Sequence, residues 1–228
     1  MKTIDRIRKS ASEKEKTIVL PRSSDERVLR AAEYLTENEI CEVILIKNEG
    51  SDIPLDSELV WIDPSKSEHF EQYVVAFFEK RKHKGLTIEE ARNIISDPLF
   101  YAASMVAAGD ADGCVAGSVS TTGDVLRAAI QTIGLKQGSN VVSSIFLMSF
   151  EDGRVFSYGD CAVVPYPDAR QLASIAIDSA NTHFALTSND PKVAMLSFST
   201  KGSARHERVE LVQQALQLAQ TKAPELNI

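Results

Sequence analysis

The residues best suited to chemistry lie between Asp112 and Ala129, in the run DGCVAGSVSTTGDVLRAA. A short apolar stretch (Cys114, Val115, Ala116) empties into a loop of glycines and hydroxyls: Gly117, Ser118, Ser120, Thr121, Thr122 and Gly123. A helical pattern follows at once and carries Arg127 in its early turns. A helix N-terminus presents unpaired N–H groups and partial positive charge, so hydroxyls and one arginine at that place form a cradle for an anion, with phosphate the obvious guest. The same residues also fit an ordinary strand-to-helix connection, with Thr122 or Asp124 capping the helix and Arg127 in solvent.

A second stretch repeats the pattern. KVAMLSF (192–198) reads as a buried strand, and after it Ser199, Thr200, Lys201, Gly202 and Ser203 form a hydroxyl loop ahead of another helical run. A third polar loop, PRSSD, follows the apolar run Thr17–Leu20. The basic run Arg81, Lys82, His83 and Lys84 precedes Gly85; by its residues alone it suits first a helix C-terminus, where cations offset the dipole, with an anion contact the second reading. Cys161 beside Asp160 has the form of a nucleophile, but a free cysteine in an apolar run is more often a small core residue. His206 reads either as a general base or as a solvated residue at the start of a helix. Neither Asp112 nor Asp124 has His or Cys at ligand spacing, so no metal site is expected. GxxxxGK[ST] and GxGxxG are both absent, which sets aside the standard triphosphate and dinucleotide folds.

These residues need a scaffold, and the chain alternates strands with helices. Strand-like runs at Thr17–Leu20, ICEVILI, Val60–Ile62, Cys114–Ala116, VVSSIFLMSF, VFSYG and 192–198 are separated by helical patterns. Asp25 or Ser24 caps ERVLRAAEYL, Thr87 and Glu90 have capping-box spacing, Asp97-Pro98 opens LFYAASMVAAG, and Asp168 caps ARQLASIAIDSANTHFAL. Residues 48–56 read as a turn, and Glu151–Arg154 as a hairpin turn. Alternation of this kind implies a mostly parallel sheet with ligands beyond the carboxyl ends of its strands, where the loops after Leu20, Ala116 and Phe198 would meet.

Composition narrows the function further. A chain of 228 residues is long enough for one large or two small domains, and a net charge of −7 argues against nucleic acid as the main partner. Cys41, Cys114 and Cys161 are far apart in apolar settings, which fits a reducing cytoplasm rather than a disulfide framework. The N-terminal run has no apolar core of a signal peptide, and no apolar stretch is long enough to span a bilayer, so neither secretion nor a membrane partner is expected.

The runs LPRSSDERVLRAA, RKHKGLT, SDPLFYAASMVAAGDADGCVAGSVSTTGDVLRAAIQTIG, DCAVVPYPDARQLASIAI and KVAMLSFSTKGSA closely resemble the phosphate acetyltransferase (phosphotransacetylase) family, in order and over nearly the whole chain. The resemblance implies a two-domain α/β fold of the isocitrate and isopropylmalate dehydrogenase kind, with mostly parallel sheets and helices on both faces. The first domain would take residues 1–138 and the second, incomplete relative to the family, 139–228. It implies reversible transfer of an acetyl group between coenzyme A and inorganic phosphate, with acetyl-CoA, phosphate and acetyl phosphate as substrates. No permanently bound cofactor is implied, and the assembly would be a homodimer. A phosphate butyryltransferase, or a non-catalytic module that binds acyl-CoA and phosphate, are the alternatives. Carried over by residue, the substrate-binding positions are Arg127 with Ser120, Thr121 and Thr122; Arg81; and Ser199, Thr200, Lys201 and Ser203. The family's catalytic serine, arginine and aspartate, which position and deprotonate the thiol, would lie beyond Ile228. The 228-residue chain on its own is therefore expected to bind without turning over.

Overall fold

Strand alternation decides how the first sheet is buried. The computed structural model describes residues 3–48 and 58–228, so the expected turn at 48–56 lies almost wholly outside it. Strands β1 (Thr17–Leu20), β2 (Glu42–Ile46), β3 (Val60–Ile62) and β4 (Gly113–Cys114) run parallel in the order β3-β2-β1-β4. On one face Leu20, Val43 and Leu45 pack with Ala32 of helix α2 (Glu26–Glu37), which follows the leading helix α1 (Thr3–Ser12). On the other, Val19 and Ile46 meet Tyr73, Val74 and Phe77 of α3 (Phe70–Arg81), Ala91 and Ile95 of α4 (Ile88–Ile95), and Tyr101 and Ala102 of α5 (Pro98–Ala108). A parallel sheet needs both faces covered, and apolar residues at successive positions of β1 and β2 serve the two sides in turn. Helix α6 (Thr122–Thr132) joins through Ala128, which packs on Leu99 and Ala103.

The helix boundaries follow local chemistry. Asp25 caps α2, and Thr87 and Glu90 form a reciprocal capping box at α4. Asp97 caps α5, with Pro98 in the first helical turn, where a missing N–H costs nothing. A short 3₁₀ turn at Lys82–Lys84 closes α3, and Gly85 ends it at φ +84°, a left-handed conformation that glycine adopts freely.

The chain divides into two compact units, Arg8–Gly134 and Met1–Ile7 with Leu135–Ile228, whereas the expected domain boundary lay at 138. In the second unit β5 (Ile145–Ser149) pairs antiparallel with β6 (Val155–Gly159), in register from Ile145↔Gly159 to Ser149↔Val155. Helices α7 (Ala169–Thr187) and α8 (Glu207–Lys222) pack through Ala173, Ala215 and Ala219, whose small side chains let the backbones approach closely. Asp168 and Gln171 make the capping box of α7.

The hairpin expected at Glu151–Arg154 is present: the tight turn at Glu151–Gly153 returns the chain directly beside itself, so β5 and β6 pair antiparallel, whereas a parallel partner would need a crossover. Two strand expectations need correction. The run 192–198 is not a strand: among the described residues its ladder partner is Asn227, bridged to Lys192 and accepting the Val193 N–H at 2.8 Å. Leu196 and Phe198 are 77% and 71% exposed, and an apolar run with one cross-strand partner cannot build a ladder. The strand expected at Cys114–Ala116 stops at Cys114, and Val115 keeps one bond, its N–H to the Val19 carbonyl at 3.1 Å, before turning outward.

Candidate anion-binding site

The strand order fixes where a ligand would sit. From β1 the chain steps to β2 and β3 on one side, and β4 returns on the other, so the winding reverses between β1 and β4. Open parallel sheets bind ligands beyond the carboxyl ends of their strands at such a reversal. Two loops meet there: Pro21–Asp25 after β1 and residues 115–121 after β4.

Side chains of the first loop hold the second. Arg22 is half-buried; its Nε donates to Ser120 Oγ at 3.1 Å and its Nη2 to Asp97 Oδ2 at 3.5 Å. Arg27 Nη2 donates to the Ser118 carbonyl at 2.9 Å and to Asp25 at 2.7 Å, and this guanidinium holds the Asp25 carboxyl far below the usual carboxylate range. The buried Ser23 hydroxyl donates to the Ile46 carbonyl at 2.6 Å and anchors the β1 loop to β2. The loop after β4 turns at Gly117, whose φ of +114° favours a residue without Cβ.

Thr121, rather than Thr122 or Asp124, caps α6. It alone has extended backbone at the boundary (φ −69°, ψ 155°), and its Oγ1 accepts the Asp124 N–H at 3.2 Å. Thr122 is the first helical residue, in the turn whose N–H groups have no partner within the helix. The Thr121 hydroxyl donates to Asp124 Oδ2 at 2.7 Å, and Arg127 Nη1 donates to Asp124 Oδ1 at 2.9 Å. The Thr121 hydroxyl and then the Arg127 charge lower the pKa of Asp124. Without a ligand, the carboxylate of Asp124 is thus paired with the arginine an anion would use. That pair is open to solvent, with side chains 59% and 46% exposed, so exchanging the carboxylate for a phosphate costs little.

The structure therefore gathers Ser120, Thr121, Thr122 and Arg127 on one loop and helix start. Arg81 ends the neighbouring α3, with its guanidinium 6.0 Å from the Phe77 ring centre. Lys80 next to it donates to the carbonyls of Thr132 and Ile133, which ties the end of α3 to the end of α6.

Ser199, Thr200, Lys201 and Ser203 belong to the other unit, and their loop differs from the expected cradle. Its hydroxyls bond within the loop: Ser199 Oγ lies 2.9 Å from Ser203 Oγ, and Ser203 Oγ donates to the Thr200 carbonyl at 2.8 Å. The helix begins only at Glu207, because His206 is its cap, with Nδ1 accepting the Arg208 N–H at 3.1 Å. His206 is thus exposed at the start of α8, as the solvated reading expected, and its ring also caps the helix. Cys161 shares a 3.3 Å contact with the Ser144 hydroxyl and donates to the Ser144 carbonyl at 3.3 Å, as a small packed thiol would. The contact that sequence reading missed is Arg22 with Ser120; the sole hint was a basic residue directly after a strand.

A family model described as "Phosphate acetyl/butaryl transferase" matches residues 2–228. A phosphate acetyltransferase of Thermoanaerobacterium thermosaccharolyticum is 42% identical over 241 residues, which cover 100% of this chain and 73% of that protein. A longer phosphate acetyltransferase of Nitratidesulfovibrio vulgaris is 44% identical over 92% of this chain and 30% of its own length. A solved phosphotransacetylase from Streptococcus pyogenes superimposes with a TM-score of 0.90 at 34% identity, over 99% of this chain and 70% of that one.

Proposed function

Because the chain belongs to the phosphate acetyl/butyryl transferase family, we propose that the β4–α6 loop is the phosphoryl cradle of a phosphate acetyltransferase. The enzyme moves an acetyl group reversibly between coenzyme A and inorganic phosphate. The named relatives, all phosphate acetyltransferases, favour acetyl over butyryl. In one direction the coenzyme A sulfur attacks the carbonyl carbon of acetyl phosphate, a C–S bond forms, and the C–O bond to phosphate breaks with its electron pair leaving on phosphate. The thiol proton passes to a base. Charge therefore builds on phosphoryl oxygens, and fixed donors aimed at them lower the barrier.

The observation that carries the reading is the placement of the hydroxyl loop and the α6 N-terminus at the winding reversal of the sheet, with Arg127 one turn inside the helix. Ser120 and Thr122 offer hydroxyl donors, the first turn offers N–H groups, and Arg127 exchanges Asp124 for the phosphoryl group through a two-pronged contact. Arg81 is a further contact for the anionic substrates, and in the second unit, taken by itself, the loop with Ser199, Thr200, Lys201 and Ser203 is a second anion-binding element in which Lys201 is exposed. Family resemblance supports a homodimer, and the three free cysteines fit a cytoplasmic enzyme.

Binding and turnover are tested separately. Titration of the 228-residue chain with inorganic phosphate and with coenzyme A, followed by ³¹P NMR, is expected to show saturable binding that weakens on Arg127→Ala. Arsenolysis of acetyl-CoA reports thioester cleavage by the same chain. Absence of saturable binding of either ligand would overturn the assignment of the cradle.

A further inference from the structure

Among the described residues, Arg22 is the side chain that joins the three segments meeting at the winding reversal. It leaves the end of β1, reaches Ser120 in the hydroxyl loop after β4, and touches Asp97 at the start of α5, the helix that leads into β4. The residue before it, Pro21, is fully buried, so the backbone that aims the guanidinium is held by packing and by the ring's fixed φ. The anchor on the far side is firm as well, because Asp97 Oδ1 accepts the Leu99 N–H at 2.8 Å while Oδ2 faces Arg22.

We propose that Arg22 is a positioning residue that turns the Ser120 hydroxyl into a dedicated donor for a phosphate group of the substrate. A serine hydroxyl has one hydrogen to give and two lone pairs to accept with. In this structure a lone pair of Ser120 is engaged by the Arg22 N–H, so its hydrogen is left to point elsewhere. Accepting from a cation also polarises the O–H, which strengthens the bond it makes next. A free serine on a loop would rotate among water, carbonyls and ligand, whereas a serine held by Arg22 faces a phosphate oxygen with its rotor already set. The inference rests on the reading of the β4–α6 loop as a phosphate cradle. The phosphate concerned belongs either to inorganic or acetyl phosphate or to coenzyme A.

The test is a double-substitution cycle on the 228-residue chain: Arg22→Gln, Ser120→Ala and both together. Dissociation constants for inorganic phosphate and, in a separate arm, for coenzyme A are read by ³¹P NMR titration, with thermal unfolding followed in parallel. Arg22→Gln in the native background is expected to weaken one ligand by about 2- to 12-fold, the loss of one hydrogen bond. In the Ser120→Ala background the same change should have almost no effect, because the hydroxyl it positions is gone. The arm that responds identifies which phosphate group sits there. Arg22→Lys, which keeps a cationic donor, should restore part of the lost affinity, and if Arg22→Gln does not fold the cycle is run with Arg22→Lys. An equal loss in both backgrounds would show that Arg22 acts through the architecture alone and would overturn the inference while leaving the cradle in place. No effect of Ser120→Ala on either ligand would overturn the cradle itself.

Discussion

Asp124 is the group most directly in the way of an anion at the α6 N-terminus, and removing its charge should tighten phosphate binding. In the free protein its carboxylate takes the Arg127 guanidinium at 2.9 Å and the Thr121 hydroxyl at 2.7 Å. Asp124→Asn keeps the shape and an acceptor for Thr121 but removes the negative charge. Two terms add. Breaking a solvent-exposed ion pair releases Arg127 from a competitor worth about 0.2–1 kcal/mol. Repulsion between the carboxylate and a phosphate charge about 5 Å away contributes about 0.8 kcal/mol even in water. Together they amount to about 1–2 kcal/mol, or a dissociation constant about five- to thirty-fold lower. The assay is ³¹P NMR titration of phosphate at low salt, repeated at 1 M, where the Debye length is about 3 Å and the gain should largely vanish. The Thr121 hydroxyl and the Arg127 charge hold the Asp124 carboxyl below the usual carboxylate range, so its charge persists between about pH 8 and 5, and any change of the gain in that window follows the titration of phosphate itself. Any stability the carboxylate adds at the helix start is present above its unfolded pKa and is lost only as pH falls through the lowered folded value. Unchanged or weaker phosphate binding by a folded Asp124→Asn protein at low salt would refute this reasoning.

Three further substitutions probe the two ends of α6. Arg81→Ala removes a cation at the end of α3 that lies over the Phe77 ring, so stability should fall by no more than about 1 kcal/mol, while affinity for coenzyme A or phosphate should fall about ten-fold; normal affinity with the small stability loss would return Arg81 to a helix-end role. Thr121→Ala removes the cap of α6 and should lower stability by about 1 kcal/mol, read as a lower midpoint in thermal unfolding, whereas Thr122→Ala should leave the midpoint nearly unchanged because Thr122 lies inside the helix.

Local chemistry was legible wherever a motif is short and self-contained. The capping box of Thr87 and Glu90, the Asp97-Pro98 helix start and the Glu151–Gly153 turn depend on neighbours a few residues away, and all appear where the spacing puts them. The strand-loop-helix run around Ser120 is likewise written in one contiguous stretch, although the cap falls on Thr121 and on neither Thr122 nor Asp124. What was not legible depends on partners. Residues 192–198 have the composition of a strand, yet a strand exists only beside another edge, and composition does not say whether one is there. The same holds for Arg22, 98 residues from Ser120 in the chain: only the order of strands in the sheet makes them neighbours. In the Ser199–Ser203 loop the hydroxyls could be read from sequence, but not that they would bond to one another while His206 took the cap.

The account stands most directly on Arg127. Its Ala variant, compared with the native chain by ³¹P NMR titration under conditions where both unfold at similar temperatures, should bind the phosphate-bearing ligand about 10- to 150-fold more weakly, the cost of losing a charge-assisted contact of about 1.5–3 kcal/mol. Affinities for phosphate and for coenzyme A both within two-fold of the native values would contradict it.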